Sequence, residues 1–284
     1  MKFAVLHLNG IPRVAVVENG RPSRLLPREA RDVTDVIANP ALQTAAGEPL
    51  QGPYTLMAPI AKPQRNLFCV GKNYHEHAQE FAQSGFDSAA AAGAIPTAPI
   101  VFSKVPETVI GPEAAITFDP SVSVAIDYEG ELALMIGTGG RRISRADAMK
   151  HVWGYTILND VTARDVQARN LQWLLGKSFD TFCPMGPWAV TAEELNLADT
   201  TLRTWVNGEL RQNANTRDLI FDVPTIIQEI SAGITLKPGD IIATGTPAGV
   251  GIGFKPPRYL QDGDVVAIEI TGLGRLQNTV KTRN

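Results

Sequence analysis

The chain has 284 residues, 44% of them hydrophobic and 19% charged, with a formal net charge of −3. That is enough apolar material for a substantial core, and it fits one large globular domain or one domain with a small appendage. The slightly acidic balance argues against nucleic acid or an anionic membrane as a partner, since both attract a concentrated basic surface.

The opening residues carry one lysine and a short apolar run broken by Asn9, Gly10 and Pro12, unlike a secretory signal. No uninterrupted apolar run reaches the roughly 18 residues that cross a bilayer. Cys69 and Cys183 stand far apart and form no C-x-x-C pair. These features predict a cytoplasmic protein with core thiols rather than a disulfide framework.

In chain order, 3–8 and 14–17 read as short strands, and Asn19-Gly20 follows as a turn signal. A small N-terminal β domain is expected over 1–62 and a larger domain over 63–284. Residues 81–99 are rich in Ala, Gly and Ser without apolar periodicity, which fits a surface insertion or a lid that closes over a site. Segments 132–136, 154–158, 188–190, 241–244 and 265–270 read as strands by apolar and β-branched content, punctuated by glycine-containing turns. Helices are predicted over 144–151, with Ser144 as N-cap, and over 224–231. The expected class is mainly β with some helices, an α+β fold.

Four stretches carry candidate chemistry. The run from Lys72 to Glu80, K-N-Y-H-E-H-A-Q-E, holds two of the four histidines. On a strand, His75 and His77 would share a face suited to zinc. On a helix, His77 and Glu80 are i,i+3 neighbours suited to a general-base pair, or simply solvated polar groups at a helix start. The helical pair is favoured, because only His7 and His151 remain as further zinc ligands. In I-D-Y-E-G-E-L-A-L-M-I-G, a strand would put Asp127, Glu129 and Glu131 on one face. A divalent ion such as Mg²⁺ or Mn²⁺ would relieve their repulsion, while an exposed strand edge with solvated acids accounts for so short a motif as well.

Asp160, at the end of a strand-like run, is placed to be a third ligand, with Arg164 and Lys177 as nearby cations. The run 244–253 has glycines that permit close backbone approach. It could hold a carboxylate together with the Thr246 hydroxyl, or be a tight loop only. Gly176-Lys177-Ser178 is no P-loop, because Leu171 stands where a glycine is needed, and there is no G-x-S-x-G elbow.

Taken together, G-K-N-Y with H-x-x-E after it, P-I-V-F-S-K, D-Y-E-G-E-L, N-D-V-T-A-R-D-V-Q, G-K-S-F-D-T-F-C-P-M-G-P, L-K-P-G-D-I-I-A-T-G-T-P-A-G-V-G and D-G-D-V-V resemble the fumarylacetoacetate hydrolase family in collinear order from residue 63 onward. The resemblance implies a roll or barrel-like core of mixed β-sheets, a small N-terminal β domain and a homodimer. It further implies Mg²⁺ or Mn²⁺ on Glu129, Glu131 and Asp160, a water-activating dyad of His77 and Glu80, and Lys177 as the cation near the metal. Lys72, Lys104, Arg164, Gln167 and Thr246 would contact a small 2-oxo acid. Val70 stands near the place of a fourth acid in the animal fumarylacetoacetases, so the likeness is to the acylpyruvase-like branch. The family places its closing lid after Glu80.

The expected activity is hydrolytic cleavage of a carbon–carbon bond in a 2,4-dioxo acid, such as fumarylpyruvate or a diketo-deoxy sugar acid, releasing pyruvate. The alternatives are oxaloacetate decarboxylation, isomerase or lyase chemistry on a related 2-oxo acid or ureidoglycolate, and a non-catalytic metal-binding protein.

Overall fold

The computed structural model describes residues 1–85 and 95–283. The middle of the stretch read as an insertion or lid, 86–94, lies outside the described residues.

Two N-terminal hairpin turns follow directly from sequence. Asn9 and Gly10 have φ of 50° and 82°, and Asn19 and Gly20 of 50° and 74°. Asn and Gly enter the left-handed region most readily, so these pairs join Lys2–Leu8, Ile11–Glu18 and Arg21–Leu25 as an antiparallel meander. The meander continues into a 12-stranded mixed sheet, because Lys2–Leu8 also pairs with Cys183–Thr191. From there the order runs through Val152–Asn159, Gly130–Ile136, Ile241–Ala243 and Leu67–Gly71 to Ile100–Lys104 at the edge. Segment 1–62 thus shares its sheet with the rest of the chain.

Gly130–Ile136 is buried on both faces, which is why 132–136 reads as an unbroken apolar run. Leu132, Leu134 and Ile136 pack in one core with a five-stranded sheet that includes Val265–Ile270 and with the helix Val223–Gly233. Ala133 and Met135 face the other core, with Phe3, Val14 and Met185. The strand therefore lies between two apolar layers, and an acid at its beginning is buried.

Two expectations need correction. Residues 144–151 are not one helix: Ser144 Oγ donates to Asp147 at 2.7 Å and the Asp147 N–H returns to Ser144, closing a turn before the 3₁₀ segment Ala148–His151. The acids from Asp127 to Glu131 do not share one strand either. Ile126–Asp127 is a separate two-residue strand paired with Thr162–Ala163, and the ladder resumes only at Gly130. That break removes the period-two relation.

Candidate active site

At the break, the Asp160 N–H donates to Glu129 O at 2.9 Å, and Asn159 Oδ1 accepts from the Glu129 N–H at 3.0 Å. These bonds bring two distant segments side by side and turn their carboxylates toward Glu131. Ligand oxygens of Glu129, Glu131 and Asp160 all lie within 4.8 Å of one another, and all three residues are buried.

Like charges at such distances need compensation, and buried cations supply part of it. Lys177 Nζ donates to Glu129 and Asp160, each at 2.7 Å. Burial works against the Lys177 charge, yet Asp160 and Glu129 hold its ammonium above the usual lysine range. Burial pushes Glu129 up, but Lys177 and Arg164 outweigh it and hold the carboxyl at about 2. Among the described residues Glu131 makes no direct ion pair: burial, together with Asp160 and Glu129 beside it, raises it well above the usual carboxylate range, although the Lys177 charge and the Gly245 N–H, which donates to it at 2.8 Å, work the other way.

One carboxylate in the cluster thus has no cation bonded to it, and every donor atom offered is oxygen. That set fits a hard divalent cation rather than a soft one. The buried triad can hold such an ion.

Lys104, expected to touch substrate, lies fully buried behind the triad. Its ammonium donates to Asp160 at 2.7 Å, to Val161 O at 3.0 Å and to Lys177 O. All three donors serve the protein itself, so the residue aligns a carboxylate and the Lys177 backbone. Arg164 bonds Asp127 through Nε at 2.9 Å and Gln167 through Nη1 at 3.1 Å, and it pairs with Glu129 at 2.7 Å. Asp127 therefore supports Arg164 instead of joining the triad.

The histidine segment is the helix His75–Gln83, which settles the choice left open by sequence. His75 is exposed and His77 buried, so they share no face. His77 Nδ1 lies 3.1 Å from Glu80 Oε2. His77, Glu129, Glu131, Lys177, Arg164, Gln167, Lys72 and Thr246 all line one cavity. Lys72 has φ of 54°, the left-handed turn that carries the chain from Leu67–Gly71 toward the helix. Thr246 donates to Gly130 O at 3.0 Å and accepts from Gln212 at 2.8 Å, so its hydroxyl is already engaged.

The glycine run holds carboxylates, and they are the protein's own. Besides Gly245 on Glu131, the Gly249 N–H donates to Glu80 Oε1 at 3.0 Å. Gly251 and Ile252 N–H groups donate to Asp127 at 2.6 and 3.1 Å. An aromatic wall went unread in the sequence: Trp173 meets Phe81 and Phe102 edge-on, with centroids 5.9 and 5.2 Å apart. Gln212, which also accepts from the Gly130 N–H, was missed too. These contacts join residues far apart in the chain, and only Trp173, one turn before Lys177, had a local signal.

A family model described as fumarylacetoacetate (FAA) hydrolase C-terminal matches residues 66–281. The chain is 48% identical over 226 residues to an oxaloacetate tautomerase of Bacillus subtilis (strain 168), covering 79% of this chain and 72% of that protein. Among solved structures it is similar to the fumarylacetoacetate hydrolase from psychrophilic Exiguobacterium antarcticum, with 43% identity, a TM-score of 0.83 and full coverage of both chains. It is also similar to 5-carboxymethyl-2-hydroxymuconate delta-isomerase from Mycobacterium smegmatis, with 32% identity, a TM-score of 0.78 and full coverage of both chains.

Proposed function

Because the chain belongs to the fumarylacetoacetate hydrolase family, we propose that it moves a proton between carbon and oxygen of a small 2-oxo acid, interconverting keto and enol forms of an oxaloacetate-like dicarboxylate. The observation that carries this reading is the cavity itself, which brings the His77 ring to the same small space as Glu129 and Glu131 of the acidic triad, Lys177 and Arg164. The names of two relatives, a tautomerase and an isomerase, point the same way, since both reactions relocate a proton or a double bond.

A carboxylate oxygen accepts, so in the neutral ring a His77 Nδ1–H donated to Glu80 leaves Nε2 as the nitrogen that can act as base. In the keto-to-enol direction Nε2 accepts the proton from C3, and the electron pair it leaves forms the C2–C3 double bond. The imidazolium then returns its proton to the 2-oxo oxygen. Lys177, kept charged by its acidic neighbours, stabilises the oxygen while it is negative. A divalent cation held by Glu129, Glu131 and Asp160 would add Lewis-acid stabilisation of that charge. Lys72 and Arg164 on the cavity wall give a dicarboxylate its counter-charges.

Hydrolysis of an acylpyruvate is the second reading, favoured by the His77–Glu80 pair, which could activate water as readily as carbon. Decarboxylation of oxaloacetate needs no such base. With Mg²⁺ or Mn²⁺ present, tautomerisation of oxaloacetate, its decarboxylation and acylpyruvate hydrolysis are to be measured in parallel. Tautomerisation should be the fastest, and His77→Ala should lower it by about 10²-fold or more. Faster release of pyruvate from acylpyruvates would replace this reading with the hydrolytic one.

A further inference from the structure

We propose that Gly253 is a positioning residue: its missing side chain leaves the seat in which Glu80 lies, and that seat fixes the tautomer of His77. The inference rests on the reading that His77 and Glu80 handle the proton.

Glu80 is held at both oxygens, with Oε2 against His77 Nδ1 at 3.1 Å and Oε1 accepting from the Gly249 N–H at 3.0 Å. The turn Gly251–Gly253 closes the far side of this carboxylate. A Cβ on Gly253 would lie 1.8 Å from Glu80 Oε1, 2.3 Å from its Cδ and 2.7 Å from its Cγ. The three nearest atoms all belong to one flexible side chain, so a methyl group there evicts Glu80 and leaves the turn in place. Gly253 is not among the glycines with positive φ, and alanine fits its backbone. An open groove lined by Glu76, Gln83 and Lys255 borders Glu80 and Gly253, giving the displaced carboxylate somewhere to go.

The neighbouring glycines differ. Gly249 has φ of 99°, and its Cβ would meet Arg211 O at 1.9 Å; a Cβ on Gly251 would meet Arg258 O at 2.5 Å and Asp127 at 2.6 Å. Substitution at either would distort the loop, whereas at Gly253 it separates Glu80 from His77 with the fold retained. Without the carboxylate, nothing in the pair favours Nδ1–H over Nε2–H, and the base is lost in the wrong tautomer.

The experiment compares wild type, Gly253→Ala, Glu80→Ala and the double variant in two ways. Nitrogen-15 NMR reads the His77 tautomer, and steady-state kinetics on oxaloacetate with Mg²⁺ reads kcat and KM. Gly253→Ala should lose the Nδ1–H signature and lower kcat by about 10²-fold, with KM, Mg²⁺ affinity and Tm unchanged. Because Gly253 acts through Glu80, the double variant should be no slower than Glu80→Ala. An unchanged tautomer in Gly253→Ala, or losses that add in the double variant, would overturn the proposal. If wild type turns over no 2-oxo acid, the proposed function fails while the NMR comparison still decides the role of Gly253.

Discussion

The carboxylate wall of the cavity rests on long strands of the central sheet, whereas the imidazole wall rests on the nine-residue helix His75–Gln83. On the first side the groups are sealed: Glu131 is 1% exposed, and Asp160 and Lys104 are 0%. On the second, the Glu80 side chain is 16% exposed and borders an open groove. Charge on the sheet side is partly balanced by ammonium groups fixed in the interior, so its geometry is tied to the stability of the fold. On the helix side, geometry depends on one carboxylate seated by a glycine turn. Damage to the first should therefore appear as lost stability, and damage to the second as lost rate.

The largest expected effect tests the sheet side. Lys104→Met removes the donor to Asp160, Val161 O and Lys177 O and leaves a buried carboxylate short of a partner. Denaturant unfolding should show a loss of about 3–5 kcal/mol, well above that of Gly253→Ala. If the two variants prove equally stable, the division drawn between the walls is wrong.

A smaller effect is expected at a helix cap outside both walls. Asp222 caps Val223–Gly233 by accepting from the Thr225 N–H at 3.0 Å. Burial raises its carboxyl, but bonds from Thr225 and the Arg145 charge outweigh it and bring the group below its usual value. A depressed folded value means that the stabilisation is complete above the unfolded carboxylate value of about 3.9 and fades as pH falls through the folded one. Asp222→Ala should cost about 1 kcal/mol at neutral pH, less in acid, with no change in kcat. A cost that stays constant into acid would mean that the ionised carboxylate is not the capping group.

The same division describes what the sequence discloses. The strand Val265–Ile270 is legible to the residue, because β-branched content between turn signals is a local property. The triad and His77–Glu80 were legible through short spacings and the family's motif order. Asp127 misled, since period two holds only while a strand continues, and the ladder breaks between it and Gly130. Ser144 misled because its side chain closes a turn with Asp147 where a helix cap was expected. The motif P-I-V-F-S-K points to Lys104 as a substrate contact, and only the packed interior reveals that its donors are taken. The seat of Glu80 had no local signal at all, because the Gly249 bond that marks it spans 169 residues.

The central claim is cation-assisted proton transfer on a 2-oxo acid, and its most direct measurement is the rate of enol-to-keto conversion of oxaloacetate by chelator-treated protein, titrated with Mg²⁺ or Mn²⁺. Conversion should vanish on chelation and return with the cation in wild type. Glu131→Gln should stay inactive at the cation concentration that restores wild type. Undiminished conversion by the chelated protein, or full recovery of Glu131→Gln, would contradict the account.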